Sequence, residues 1–212
     1  MSCEKCGAAS TGCGCCSASG AIGFEKKGND CIALLGQPNS GKSTLFNGLT
    51  GSRQHVGNWP GKTVERKVGE FSREGKSYQV VDLPGAYGLS ANSPEEQVTV
   101  DFVTSGVADV TLVMADASQL ERSLYMLADF ACVAPDSPCV LVLNLMDVAE
   151  QQGRRVDAKK IEQRLGVPVV PFVAADVSGY DVLLAAIDRA VAKRPVLDTG
   201  ALKTELLAHA DT

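Results

Sequence analysis

Between residues 30 and 192 the chain alternates short apolar runs with segments whose apolar residues recur every three or four positions. Cys31-Ile32-Ala33-Leu34-Leu35, Val110 to Ala115, Val140-Leu141-Val142-Leu143 and Val167 to Val173 are of strand length and largely apolar. Such runs suit parallel strands covered on both faces. Helical spacing predicts a helix from about Ser43 to Leu49, stopped by Gly51, and another over Leu120 to Ala131 with Leu124, Leu127 and Ala131 on one face. Ser93-Pro94-Glu95-Glu96 announces a helix by its cap, its first-position proline and its glutamate three residues past the cap. Asp157 caps Ala158 to Leu165, Gly166 ends it, and Asp181 to Ala192 is the last helix. Val64 to Phe71 and Tyr78 to Val81 read as short strands joined by the turn Arg73-Glu74-Gly75-Lys76. Gly51 to Thr63, rich in Gly and Pro and without period, reads as a mobile loop. Alternating strands and helices predict an α/β fold, helices on both faces of a parallel sheet, with ligands at the carboxyl ends of the strands.

Composition narrows the class. A chain of 212 residues with 45% hydrophobic and 21% charged residues is one globular domain with tails. We place the domain at 30–192, after a flexible Cys-rich segment at 1–29 and before a short tail at 193–212. The net charge of −5, with no basic cluster, argues against a nucleic-acid partner. The apolar runs fall far short of the roughly 18 residues of a membrane span, and Met1-Ser2-Cys3-Glu4-Lys5 opens no secretion signal, so the chain as given reads as cytosolic. Of eight cysteines, Cys31, Cys132 and Cys139 read as small buried hydrophobes. Cys3, Cys6, Cys13, Cys15 and Cys16 crowd into the first sixteen residues among Gly, Ala and Ser. They either offer thiolates to Zn²⁺, Fe²⁺ or an iron–sulfur cluster, or belong to a tail whose thiols do nothing specific.

The chemistry is concentrated in loops that follow strands. Gly36-Gln37-Pro38-Asn39-Ser40-Gly41-Lys42-Ser43, with Thr44 opening the next helix, fits G-x-x-x-x-G-K-[ST] in full. Its glycines let backbone N–H groups curl around phosphate oxygens, and the following helix N-terminus adds partial positive charge. Lys42 would reach the outer phosphates and the Ser43 hydroxyl would sit on Mg²⁺. Asp82-Leu83-Pro84-Gly85 follows a strand, so Asp82 would hold Mg²⁺ through a water while the Gly85 N–H points at the γ-phosphate. Thr63, at the end of the loop Gly57-Asn58-Trp59-Pro60-Gly61-Lys62, can coordinate Mg²⁺ when a γ-phosphate is present and let go after hydrolysis. Asn144-Leu145-Met146-Asp147 supplies base selectivity: a carboxylate accepts from guanine N1–H and N2–H₂, whereas adenine leaves it unpaired. Ala174-Ala175-Asp176 stands where GTPases usually carry Ser-Ala-Lys, so the Ala175 N–H would meet guanine O6. Loss of that serine predicts a loosely held base and fast GDP release. The order of these motifs identifies a guanine-nucleotide-binding domain with a P-loop GTPase fold, expected as a six-stranded, mostly parallel sheet with one antiparallel edge strand.

The phosphate loop with Leu45-Phe46-Asn47, Val56-Gly57-Asn58-Trp59-Pro60-Gly61 with Thr63-Val64-Glu65, Asp82 to Gly85 with Tyr87, and Leu120 to Tyr125 resemble the G domain of the bacterial ferrous-iron transporter B (FeoB) family. The likeness runs from about residue 30 to 192; Lys62, where the family usually has an apolar residue, and Ala174 depart from it. It implies GTP hydrolysis tied to Fe²⁺ uptake at the cytoplasmic face of the inner membrane, with a membrane pore or regulatory domain as partner and a homo-oligomer within reach. It also implies K⁺ stimulation through Asn39, whose carboxamide oxygen can help hold a monovalent cation beside the β/γ-phosphates. The catalytic set is then Asn39, Lys42, Thr63 and Gly85. Ala86 replaces the water-orienting glutamine of many small GTPases, so slow turnover is expected. Family members continue into a helical regulatory domain and a pore, so this chain is expected to be an excised G domain or a stand-alone relative. Competing readings are a GTPase of ribosome or RNA maturation, which usually carries a basic appendage, and a non-catalytic nucleotide-dependent binding module.

Overall fold

The computed structural model describes residues 24, 26, 29–51, 53–173 and 179–200. In chain order the elements are β1 (Asp30–Gly36), α1 (Lys42–Thr50), β2 (Gln54–Asn58), β3 (Glu65–Arg73), β4 (Lys76–Asp82), α2 (Pro94–Thr104), β5 (Val110–Asp116), α3 (Leu120–Val133), β6 (Cys139–Asn144), α4 (Met146–Gln151), α5 (Ala158–Leu165), β7 (Val169–Pro171) and α6 (Tyr180–Lys193). The strands form one sheet in the order β2-β3-β4-β1-β5-β6-β7. β1 runs parallel to β4 and β5, β5 to β6 and β6 to β7, while β3 is antiparallel to both β2 and β4.

Side chains of β1 show why both faces must be covered. Cys31, Ala33 and Leu35 point into one core with Val98 and Phe102 of α2 and Met126, Leu127 and Phe130 of α3. Ile32 and Leu34 point into the other, with Leu45, Phe46 and Leu49 of α1 and Leu183, Ala186 and Ile187 of α6. The period of two along a strand thus feeds two helical layers. Caps act as their residue types predict: Ser93 Oγ accepts from Glu96 N at 3.1 Å, Asp157 Oδ1 accepts from Lys160 N at 3.0 Å, and Gly166 ends α5 at φ 71°.

Three features differ from the sequence expectation. The sheet has seven strands rather than six, because Gln54–Asn58 pairs with Glu65–Gly69 inside the segment read as a loop. Its residues, Gln-His-Val-Gly-Asn, lack an apolar alternation because this edge strand is largely exposed. The antiparallel strand, β3, consequently lies one place in from the edge. The short helix α4 begins within Asn144–Asp147, with Leu145 at φ 59° before it. Cys132 is exposed, whereas Cys31 and Cys139 are buried as expected. In α3, Met126, Leu127, Phe130 and Ala131 fill the inward positions and leave Cys132 facing outward.

Burial pushes the Cys31 and Cys139 thiols up to about 12. A thiol raised in the folded state favours folding fully below its ordinary value of 9.0, and that contribution is lost as pH rises toward about 12. Alkylation of the native protein at pH 8, read by peptide mass mapping, is therefore expected to modify Cys132 and to spare Cys31 and Cys139 until denaturant is added. Equal labelling of all three under native conditions would contradict the burial.

Candidate functional site: a phosphate loop at the sheet's carboxyl edge

β1 leads into a loop, Gly36 to Gly41, that must reverse direction within a few residues to start α1. Gly36 passes so close to β5 that a Cβ there would lie 2.8 Å from Met114 Cβ and 2.8 Å from Ser40 Oγ. Asn39 takes φ 66° and Gly41 φ 86°, left-handed conformations that Asn and Gly adopt most readily. The loop and the start of α1 wall a cleft of about 520 Å³ lined by Gln37, Pro38, Asn39, Gly41, Lys42, Ser43, Thr44 and Gly85.

Lys42 is the buried charge of the site. Its ammonium donates to Asp82 Oδ1 at 2.5 Å and to the Leu83 carbonyl at 2.6 Å. Both acceptors come from the end of β4, which the parallel register Leu34↔Asp82 sets beside β1. Gly85 then turns back toward the loop, where an added Cβ would stand 3.4 Å from Pro38. From the other side, Asn144 at the end of β6 donates through Nδ2 to the Ser40 carbonyl at 2.8 Å. Asn144 is buried, so this bond ties β6 firmly to the loop's centre. Gln37 Nε2 adds a bond to the Arg122 carbonyl at 3.1 Å.

The structure therefore gathers Gly36 to Thr44, Asp82 to Gly85 and Asn144 around one cleft at the carboxyl edge of the sheet. Ser43 and Asn39 are exposed, and Asp147 is exposed in the first turn of α4, next to the buried Asn144. Leu145 and Met146 are half-buried. Gly57 and Asn58 are exposed in β2, Thr63 is exposed, and the Trp59 ring is turned into the core. Ala174, Ala175 and Asp176 lie outside the described residues, as do Cys3, Cys6, Cys13, Cys15 and Cys16.

Two supports were not anticipated from sequence. Beside the Asn144–Asp147 loop, Asp116 Oδ1 accepts from Ser118 N at 2.8 Å and from Ser118 Oγ at 2.6 Å, while Asp116 N donates to Ser123 Oγ at 3.0 Å. Arg154, just past α4, donates to the Ser118 carbonyl. The register Asp116↔Asn144 places this brace beside the Asn144 loop. The second is a pair between Lys62 Nζ and Asp101 Oδ2 of α2, 2.9 Å apart. The Asp116–Ser118 bonds are a local cap that the Asp-x-Ser spacing could have signalled, whereas the Arg154–Ser118 and Lys62–Asp101 contacts join partners 36 and 39 positions apart and have no local signature.

The family described as ferrous iron transport protein B matches residues 30–187. The Fe(2+) transporter FeoB of Escherichia coli K12 is 47% identical over 162 residues, covering 74% of this chain and 21% of that protein. Salmonella typhimurium LT2 FeoB gives the same 47% identity, over 74% of this chain and 21% of its own length. The chain thus spans about a fifth of the length of the curated relatives it matches. The G domain of the T. maritima FeoB iron transporter superposes with a TM-score of 0.70 at 35% identity, over 76% of this chain and 98% of that one. The cytosolic domain of L. pneumophila FeoB gives 0.74 at 38% identity, over 80% of this chain and 65% of that one. The cytosolic domain of T. maritima FeoB in its GMPPNP form gives 0.74 at 35%, over 79% and 66%. No helix among the described residues is long and apolar enough to cross a membrane. The fold is that of a P-loop GTPase G domain, and the chain belongs to the FeoB family of ferrous iron transport proteins.

Proposed function

We propose that this chain binds GTP with Mg²⁺ in the cleft above α1, hydrolyses it slowly with K⁺ stimulation, and acts as the switch domain that governs ferrous-iron uptake through a membrane partner. The observation that carries this reading is that the loop 36–43 is bonded to Asp82 and Leu83 through Lys42 and to Asn144 through Ser40. Elements suited to phosphate, Mg²⁺ and base thereby meet in one site. T. maritima FeoB has been solved in GMPPNP and GDP forms, which agrees with a guanine nucleotide here.

Loop N–H groups and the start of α1 would cradle the phosphates, and Lys42 would neutralise their outer oxygens. Ser43, Thr63 and Asp82 offer the hard oxygen donors that suit Mg²⁺, with the Ser43 hydroxyl lining the cleft and the Asp82 carboxylate beside Lys42. When bound, Mg²⁺ supplies charge neutralisation at the phosphate oxygens. Gly85 N–H would face the γ-phosphate, Asp147 would accept from guanine, and Ala175 N–H would meet guanine O6. Ala86 is buried, so its methyl group takes no part in orienting a water. That task falls to backbone groups of the loop before Thr63. Asn39, exposed at the cleft's lip, would contribute the carboxamide oxygen for K⁺. The domain would work on the cytoplasmic side of a pore or regulatory domain, alone or as a homo-oligomer. The cysteines at 3, 6, 13, 15 and 16 would give it an Fe²⁺- or Zn²⁺-binding head.

Phosphate release is expected below about 1 s⁻¹ without K⁺ and to rise when K⁺ replaces Na⁺, a difference that Asn39→Ala abolishes. Equal rates in the two salts would remove Asn39 from the mechanism. Asp147→Ala, which deletes two charge-assisted bonds, should weaken GDP binding about a hundredfold and erase preference over adenine nucleotides; unchanged affinity by calorimetry would refute the base assignment. Anaerobic titration should show stoichiometric Fe²⁺ or Zn²⁺ binding that is lost when the five head cysteines become serine, and binding that survives this change would dispose of the metal head.

A further inference from the structure

The loop that carries Thr63 is gripped by α2. Trp59 N donates to the Val64 carbonyl at 2.9 Å, and Lys62 N donates to the Trp59 carbonyl at 3.0 Å. These bonds close the turn Trp59-Pro60-Gly61-Lys62, in which proline presets φ at the second position and Gly61 takes φ 69° at the third. One foot of the turn is apolar: the Trp59 ring, 4% exposed, meets Phe102 edge to face with centroids 5.6 Å apart. The other foot is ionic: Lys62 Nζ lies 2.9 Å from Asp101 Oδ2, and Asp101 Oδ1 accepts from Gln97 Nε2 at 2.7 Å. Asp101 and Phe102 are consecutive residues of α2, so one turn of helix holds both feet.

Energetics separate this grip from ordinary structural support. Burial pushes the Asp101 carboxyl up, but the hydrogen bonds from Lys62 and Gln97 outweigh it and hold the group below its usual range. The pair is nevertheless partly exposed, 31% at Lys62 and 40% at Asp101, so it contributes little to global stability. What it does determine is where the residue after Lys62 stands. The same helix follows the Asp82–Gly85 loop in the chain, and its start is fixed by the Ser93 cap.

We propose that Asp101 and Phe102 are positioning residues for Thr63, holding its loop in the geometry from which it serves GTP hydrolysis; this rests on the GTPase reading above. Phe24, edge to face with Phe102 at 5.3 Å, belongs to the same aromatic row and connects the chain just ahead of β1 to it.

The test uses the whole chain with GTP, Mg²⁺ and K⁺, comparing Asp101→Asn, Phe102→Leu and the charge exchange Lys62→Asp with Asp101→Lys. A misplaced group can cost up to about a hundredfold in rate, so Asp101→Asn is expected to lower kcat about tenfold with KM for GTP little changed. The charge exchange should recover most of that loss. Trp59 is the one tryptophan of the chain, and acrylamide quenching of its fluorescence should increase in Asp101→Asn and Phe102→Leu. Thermal midpoints, followed in parallel, should move by less than about 3 °C in Asp101→Asn. Wild-type kcat in both single variants would overturn the inference, as would a rate loss that tracks the thermal midpoint with quenching unchanged. A wild-type chain that releases no phosphate would overturn the GTPase reading and this inference with it, whereas active wild type with unaffected variants overturns the positioning role alone.

Discussion

The ammonium of Lys42 is the constraint around which the site is built. Its side chain is 10% exposed and that of Asp82 6%, so each charge depends on the other for the solvation it has lost. Breaking such a pair by removing one partner typically costs about 3–5 kcal/mol, more than any surface interaction of this chain can return. The pairing is possible only because β4 lies beside β1 in parallel, bringing Asp82 level with Leu34 and its Leu83 N–H to the Leu34 carbonyl at 3.1 Å. A polyphosphate bound as proposed would compete with Asp82 for the same ammonium. On the proposed reading, nucleotide entry and the position of the Asp82–Gly85 loop would be coupled through the Lys42 nitrogen.

Strand order explains why the remaining chemistry collects there. From β1 the chain crosses to the far edge at β2 and builds inward through β3 and β4 to β1, then lays β5, β6 and β7 outward on the other side. The reversal leaves a crevice at the carboxyl end of β1, the usual ligand position in open α/β sheets. Asn144 crosses that crevice to reach the Ser40 carbonyl, so the Asn144–Asp147 loop is anchored to the 36–43 loop rather than merely near it. Asp116 and Ser118 stiffen the ground beneath it.

Buried parallel strands were legible because continuous apolar runs such as Val140 to Leu143 have little alternative use at that length. The phosphate loop was legible because its glycine and lysine spacing answers a steric and electrostatic demand that few other sequences meet. β2 was not, since an exposed edge strand is specified by pairing with β3 and not by its own residues. Cys132 was misplaced because apolar neighbours on both sides in sequence say nothing of which helical face a residue occupies. Trp59 reads as a nucleotide-loop residue from its motif, yet its ring fills the core against Phe102. That destination depends on α2, some forty residues later, and no local pattern carries it.

The grip of α2 on the Thr63 loop bears on how a site without a water-orienting glutamine can turn over at all. With Ala86 buried, the second loop contributes backbone and no side chain at the position after Gly85. In the proposed reaction the burden of arranging the reacting groups shifts to the first loop, whose turn is closed by its own backbone bonds but whose placement against the fold those bonds do not set. Rigidity must then be supplied from outside, and α2 supplies it through an aromatic contact that resists rotation and an ion pair that resists lateral drift. The two contacts are unequal: the ion pair is partly exposed and weak, while the buried Trp59 ring holds more firmly, less what its indole Nε1 loses by having no hydrogen-bond partner among the described residues. Under the proposed switch function, the exposed ion pair is the part of the hold that could be made or broken between nucleotide states at a modest free-energy difference, while the Trp59 anchor stays in place.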